Sequence, residues 1–262
     1  MIKGLEKREA SHGQVTGSYS DGFQLTLPEV DKQQYCLAQL DNYMRLPRRK
    51  FPYQPPIRLQ LEAKVSEAGL PGTWGFGLWN DPFSLGCITG GVSRLLPVLP
   101  NAAWFFYGSK ENHLSLRDDL PGMGFHVKTF RSPLVPSLFS LFALPLIPFA
   151  LLPSAARLFR KSLQIPVRES GRVLEIDVTQ WHLYGLTWEE KEVRFEVDES
   201  VVLRTEISPL GRMGLVIWID NQYFRFDPQG KIKFGSLKIE PQQNLAIRRL
   251  ILICSSKAFT LS

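Results

Sequence analysis

Apolar and polar residues alternate with a period of two over much of this chain. The alternation is cleanest where Ile57, Leu59, Leu61, Ala63 and Val65 interleave with Arg58, Gln60, Glu62 and Lys64. It predicts a strand with one buried and one wet face. The stretch Trp181–Asp198 predicts a hairpin: an aromatic and branched run to Trp188, a charged break at Glu189–Lys191, then Val193, Phe195 and Val197 alternating with Arg194, Glu196 and Asp198. Further strands are expected at Phe23–Leu27, Thr73–Trp79, Ala102–Tyr107, His113–Arg117, Val173–Val178, Leu215–Ile219, Tyr223–Phe226, Ile232–Phe234 and Leu245–Ile253, with a second apolar run at Tyr35–Tyr43. In Thr73–Trp79, Trp74, Phe76 and Leu78 share one face, and Gly75, Gly77 and Trp79 share the other. Two glycines on one strand face imply that something approaches the backbone closely, either the facing sheet or a ligand. The pattern as a whole is all-β, expected as a sandwich of two antiparallel sheets.

Two segments depart from it. Residues 1–20 hold charges, Ser and Gly without periodicity and are expected as a flexible N-terminus ahead of one domain, 21–262. From Ser132 to Ala156 there is no charged residue, and prolines stand at 133, 136, 145, 148 and 153. This apolar, partly helical insertion, 132–163, is bracketed by Arg131 and by Arg157, Arg160 and Lys161. Its length reaches across a bilayer on count alone. The prolines, and the need to return to one sheet, count against a spanning helix. It is read as a lid or peripheral membrane contact, with an internal packing element and a true span as the alternatives.

Composition narrows the class. The chain has 262 residues, 44% hydrophobic and 21% charged, which is globular and enough for a sizeable core. A net charge of +6 is mildly basic. No Lys/Arg run is interleaved with stacking aromatics, which excludes a nucleic-acid partner. The basic proline-bounded segment Arg45–Pro56 reads as a solvated loop. Cys36, Cys87 and Cys254 are too few and too far apart for a zinc motif or a disulfide framework. Met1–Gly13 is polar and lacks the apolar core of a secretory signal, so a cytoplasmic protein is expected.

Three stretches carry a resemblance. Trp181, His182, Tyr184 and Trp188 followed by a polar turn and Val197-Asp198 resemble the hairpin of family 16 glycoside hydrolases and their concanavalin A-like relatives. Gly72–Asp81, GTWGFGLWND, resembles the strand that enters the cleft in that superfamily, and Pro209–Asn221, PLGRMGLVIWIDN, resembles a later strand ending on the cleft floor. The resemblance implies a concanavalin A-like jelly roll and places Trp79 in its concave cleft. It does not choose among hydrolases, lectins and binding modules, which share this fold.

The family's catalytic motif, Glu-x-Asp-x-x-Glu on one strand, has as its nearest string Glu175-Ile-Asp177-Val-Thr-Gln180. Gln180 replaces the proton-donating Glu, and the string lies just before the hairpin, later than the family places its motif. A Gln cannot donate and recover a proton. Strand-end Asp81, Asp118 with its neighbour Asp119, and Asp220 remain the candidate catalytic carboxylates. Trp79, Trp104, Tyr107, His113, Arg117, Trp218 and Asn221 are the candidate ligand-binding residues. Strict alternation would send Trp104 and Tyr107 to opposite faces. No His pair has metal-ligand spacing and no Gly-rich phosphate loop appears, so no metal and no cofactor are expected. Three functions stay open: a binder or cofactor-free cyclase or isomerase for a lipophilic or glycolipid-type molecule, a divergent family 16-like hydrolase, and a lectin-like carbohydrate binder.

Overall fold

The computed structural model describes residues 2, 4–32, 34–82, 96–136 and 152–254. Strands are numbered in chain order. One seven-stranded antiparallel sheet runs β1 (Glu6–Ala10), β4 (Leu37–Asp41), β13 (Gly214–Asp220), β6 (Thr73–Trp79), β7 (Ala102–Gly108), β8 (Gly124–Arg131), β9 (Arg168–Val173). The other runs β12 (Ser200–Thr205), β11 (Val193–Val197), β10 (His182–Trp188), β5 (Ile57–Val65), β16 (Gln243–Cys254), β3 (Gly22–Leu27), β2 (Gln14–Ser18). A hairpin of β14 (Gln222–Phe226) and β15 (Ile232–Ser236), a 3-10 turn at Arg48–Lys50 and, among the described residues, one α-helix, α1 (Pro153–Leu163), lie outside the two sheets. The two sheets stack as a jelly-roll β-sandwich.

The second sheet obeys the alternation rule. On β5, Ile57, Leu59, Leu61, Ala63 and Val65 are buried, and Arg58 on the other face is exposed. The predicted hairpin is β10–β11, with buried Tyr184, Leu186 and Trp188 opposite Val197, Phe195 and Val193. His182 closes it: its Nδ1 lies 2.6 Å from Asp198 Oδ2, and Asp198 Oδ1 accepts the Leu183 N–H at 2.9 Å.

The first sheet is buried on both faces at its centre, every residue of β13 included. One face meets the second sheet through Trp74, Phe76, Leu78, Phe105, Leu215 and Ile217. The other carries a second cluster, and that double burial is what positions the site described below.

Several expectations are corrected. The N-terminal residues expected to be flexible include β1 and β2, which pair antiparallel with β4 and β3. Both are edge strands; the charges of β1 hide its alternation, and β2 is polar apart from Gly17 and buried Val15. His113–Arg117 is no ladder strand: His113 makes a single parallel bridge to Arg225. The backbone N–H groups of Leu116 and Arg117 donate instead to the Glu169 carboxylate at 2.8 and 3.0 Å. No strand forms over the expected Val173–Val178: β9, for which no strand was expected, ends at Val173. The chain then loops over the surface, with Asp177 accepting from Thr179 Oγ1 at 2.6 Å, while Leu174 and Val178 are buried and Ile176 packs partly buried against the core. β8 and β12 carried no strand expectation. Of the apolar insertion, residues 137–151 lie outside the described residues. The described remainder ends in α1, which opens on Pro153 at its first turn, where the missing N–H costs no helical bond. Among the described residues no helix is long and apolar enough to cross a membrane.

Candidate functional site

On the face of the first sheet turned away from the second sheet, register alone brings the aromatics together. Gly75 of β6 lies between Trp218 of β13 and Phe106 of β7, and Gly77 lies between Val216 and Trp104. Trp79 ends the same face of β6, opposite Ala102 and Gly214. The Trp79 and Trp218 rings stack at 6.5 Å and 7°, Trp104 stands 5.7 Å from each, and Phe106 lies 5.7 Å from Trp218.

The glycines explain how so much ring area fits. A Cβ on Gly75 would sit 2.8 Å from Cη2 of Trp218 and 2.4 Å from the Phe105 carbonyl oxygen. A Cβ on Gly214 would sit 2.3 Å from the Tyr43 ring. What approaches the backbone at these glycines is therefore the protein's own aromatic layer. Gly75→Ala is expected to cost about 1–3 kcal/mol by overpacking, read as a lowered thermal midpoint with a changed tryptophan emission.

One polar chain runs through this layer. Trp218 Nε1–H donates to Thr73 Oγ1 at 3.0 Å, and the Thr73 hydroxyl donates to Asp220 Oδ1 at 2.6 Å. Burial pushes the Asp220 carboxyl up to about 7, against the opposing hydrogen bonds from Thr73 and the Gln222 backbone. Trp104 Nε1 is buried and has no hydrogen-bond partner among the described residues. Above the rings lies a cavity of about 300 Å³, walled by Leu37, Phe106, Val216 and the three indoles, with Arg8, Gln39, Thr73, Asp81 and Asp220 also on its lining.

Loops close one side. The Asn112 amide donates to the Gly72 carbonyl, and its Oδ1 accepts the Phe224 N–H at 3.0 Å, tying the β7–β8 loop to the β14–β15 hairpin. Farther along, Glu169 is buried, accepts from Ser115 Oγ and from two backbone N–H groups, and forms an ion pair with Lys128 Nζ at 3.1 Å. Burial lowers the Lys128 pKa, an effect partly offset by Glu169. Arg160 of α1, also buried, donates to the carbonyls of Ser115 and Phe226 and to Asp118.

The sequence-predicted residues divide. Trp79, Trp104, Trp218, Asp81 and Asp220 all border the cavity. Asp220 and Asp81 stand near opposite ends of β6, because Asp220 pairs with Thr73 and Asp81 follows Trp79. At ~3.3 Å per residue their backbones are about 20 Å apart. That exceeds the ~5–5.5 Å of a retaining carboxyl pair and the ~6.5–9.5 Å of an inverting pair. Asp118 pairs with Arg160, and Asp119 pairs with Arg117, both away from the cavity. Tyr107 turns the other way, stacking on Trp74 at 5.6 Å in the core. The His113 ring packs against Gly122 outside the cavity lining, its pKa lowered by burial and then by Arg160. Asn221 is a structural clamp: Oδ1 accepts the Cys36 N–H, and Nδ2 donates to the Gln34 and Leu237 carbonyls.

Sequence reasoning missed Phe106 and Val216, whose shared parity with Trp104 and Trp218 was the available signal. It also missed Arg8, from a segment without a readable period, and Leu114, from the expected strand His113–Arg117 that the structure does not form. Among the described residues no group of three His, Cys, Asp or Glu side chains could hold a metal ion.

The sequence matches no family model and no curated protein. Among solved structures, a glycoside hydrolase family 16 endo-glucanase from Bacteroides ovatus in complex with G4G3G-2F-DNP is similar at a TM-score of 0.52 and 9% identity, over 97% of this chain and 96% of that one. A Bacillus licheniformis β-glucanase is similar at 0.48 and 10%, over 98% and 94% of the two chains. The binding domain of botulinum neurotoxin DC in complex with rat synaptotagmin II gives 0.41 and 6%, covering 95% of this chain. This chain spans only 43% of that one. The fold is the concanavalin A-like jelly roll of the family 16 glucanases.

Proposed function

We propose that this jelly roll is a binding protein whose concave cavity holds a small, mainly lipophilic molecule or the lipophilic part of a glycolipid. Further, the apolar stretch 132–163 brings it to a membrane surface where such molecules reside. The observation that carries the reading is the cavity itself. Where a glucanase-type groove would need acids paired close together, this one has Trp79, Trp104, Trp218 and Phe106, and its two lining carboxyls, Asp81 and Asp220, are buried near opposite ends. Its volume of about 300 Å³ falls at the small end of ligand sites, and an aromatic and aliphatic wall with a few polar groups suits a mainly lipophilic ligand bearing a hydroxyl or carbonyl. The same enclosure would hold a flexible substrate folded, so a cofactor-free cyclisation or isomerisation is the catalytic form of this reading. Family 16-like hydrolysis has less support, since Asp81, Asp118 and Asp220 are spread apart. The setting that fits is the cytoplasmic side of a membrane, where Cys36 and Cys254 remain free thiols.

Native mass spectrometry of the protein purified from its own host is expected to show a bound lipophilic molecule. In a titration with N-phenyl-1-naphthylamine, the wild type is expected to bind saturably and Trp104→Ala about tenfold more weakly or worse, since removing a central ring removes on the order of 1.4 kcal/mol or more. Absence of any co-purifying ligand together with non-saturable probe uptake would refute the reading. Glycan-array binding lost in Trp79→Ala would replace it with a lectin.

A further inference from the structure

Helix α1 is inside out for a helix on a globular surface. Its buried side chains are Ala156 and Arg160, while Leu158 is 71% and Phe159 41% exposed. Leu152 just before it and Ile165 just after it are 56% and 83% exposed. A surface helix ordinarily turns its leucines inward and its arginines out. Here the arginine is spent on holding the helix down, through the Ser115 and Phe226 carbonyls and Asp118.

From this arrangement we infer that the outward face of α1 docks on an anionic lipid bilayer, with Leu158 and Ile165 entering the headgroup boundary and Arg157 and Lys161 against lipid phosphates. The inference rests on the membrane-facing half of the function proposed above and names the surface and the lipid charge it requires. Charge decides among occupants. Arg157, Lys161 and Arg168 are exposed around these apolar side chains, and the nearby carboxylates Asp118 and Asp119 are each paired to an arginine. The whole chain carries +6. A second copy would bring the same positive surface against this one, whereas anionic lipid neutralises it. Exposed apolar side chains flanked by lysine and arginine are what an interfacial helix presents to a membrane.

The test is flotation of the full chain with vesicles of phosphatidylcholine and phosphatidylglycerol in equal parts, beside vesicles of phosphatidylcholine alone. The wild type is expected to float with the first and remain at the bottom with the second. Arg157→Glu with Lys161→Glu is expected to weaken binding more than about twentyfold, at roughly fivefold or more per cation. Leu158→Ser with Ile165→Ser is expected to abolish flotation, both side chains being exposed and unneeded for folding. N-phenyl-1-naphthylamine titration of both double variants should match the wild type, showing that they are folded and that the cavity is separate. Wild type that ignores anionic vesicles, or variants that float as it does, would overturn the docking surface while leaving the cavity reading intact. Lipid-free dimerisation lost in the Leu158/Ile165 variant would overturn it in favour of a second copy. Trp104→Ala should float normally, so a failed cavity would show in the titration and a failed surface in the flotation.

Discussion

Glu169→Ala is expected to destabilise the protein by about 3–5 kcal/mol, which is a large fraction of a typical domain's total stability. The Glu169 side chain is fully buried, and the Lys128 ammonium 3.1 Å away is 3% exposed. Neither charge has water to fall back on. Removing the carboxylate strands a buried cation, and it also orphans the backbone N–H groups of Leu116 and Arg117, while the Ser115 hydroxyl keeps only the Arg117 carbonyl. Those donors hold the loop that carries Leu114 over the cavity. The loss should therefore appear twice: as a lower urea midpoint, and as weaker probe binding in whatever fraction remains folded. The two causes separate by substitution. Glu169→Gln keeps an acceptor for the N–H groups but leaves Lys128 unpaired, and should fall between wild type and Ala. Adding Lys128→Met to Glu169→Gln removes the stranded charge and should recover most of the deficit. If Glu169→Ala shifts the midpoint by less than about 1 kcal/mol, the pair does not anchor the loop.

Asp220→Asn is expected to change the shape of the stability curve with pH. The Asp220 carboxyl is raised from 3.8 to about 7, chiefly by burial. The folded state therefore holds a proton that the unfolded chain releases between those values. Its contribution is fully present below about pH 4 and is lost as pH rises through about 7, so on this account the wild type weakens across that window. A shift of about three units corresponds to on the order of 4 kcal/mol. The asparagine variant keeps a partner for Thr73 without a titrating group. It should gain most of that stability at pH 8, gain little at pH 4, and show a flatter profile in between. Some slope should persist, because burial also raises the carboxyl of Asp41 despite its bonds from Gln39, Tyr43 and Met44. Denaturant melts at half-unit pH steps would check this, and parallel wild-type and variant profiles would reject it.

The architecture was legible where one sheet face is wet. β5 and the β10–β11 hairpin show period two because Arg58, Arg194 and Glu196 stand opposite Ile57, Val193 and Phe195. It was illegible where both faces are dry or both look polar. β8 buries His126 and Lys128 on its concave side, so its charged positions read as surface. β1 is charged along its length because it is an edge. The site followed the same rule. Trp79, Trp104 and Trp218 share one face because parity within a strand fixes direction, and the same parity turns Tyr107 to the other. Loop residues have no such constraint. Arg117, Asp118 and Asp119 were placed at strand ends near a groove, but ion pairs made locally and with α1 hold them aside. Asn221 ended a strand as a cleft residue would, yet its amide is consumed by three backbone groups from two other segments, Gln34 and Cys36 in one and Leu237 in the other.

The bond from Trp218 through Thr73 to Asp220 couples an indole to an ionisable group buried at one end of the cavity. Whenever that carboxyl gains or loses its proton, the local field across the ring changes, and with it the colour of light the ring emits. The molecule thus contains an intrinsic optical gauge of its pocket's ionisation, one that needs no attached dye and registers any guest that alters the proton's residence there.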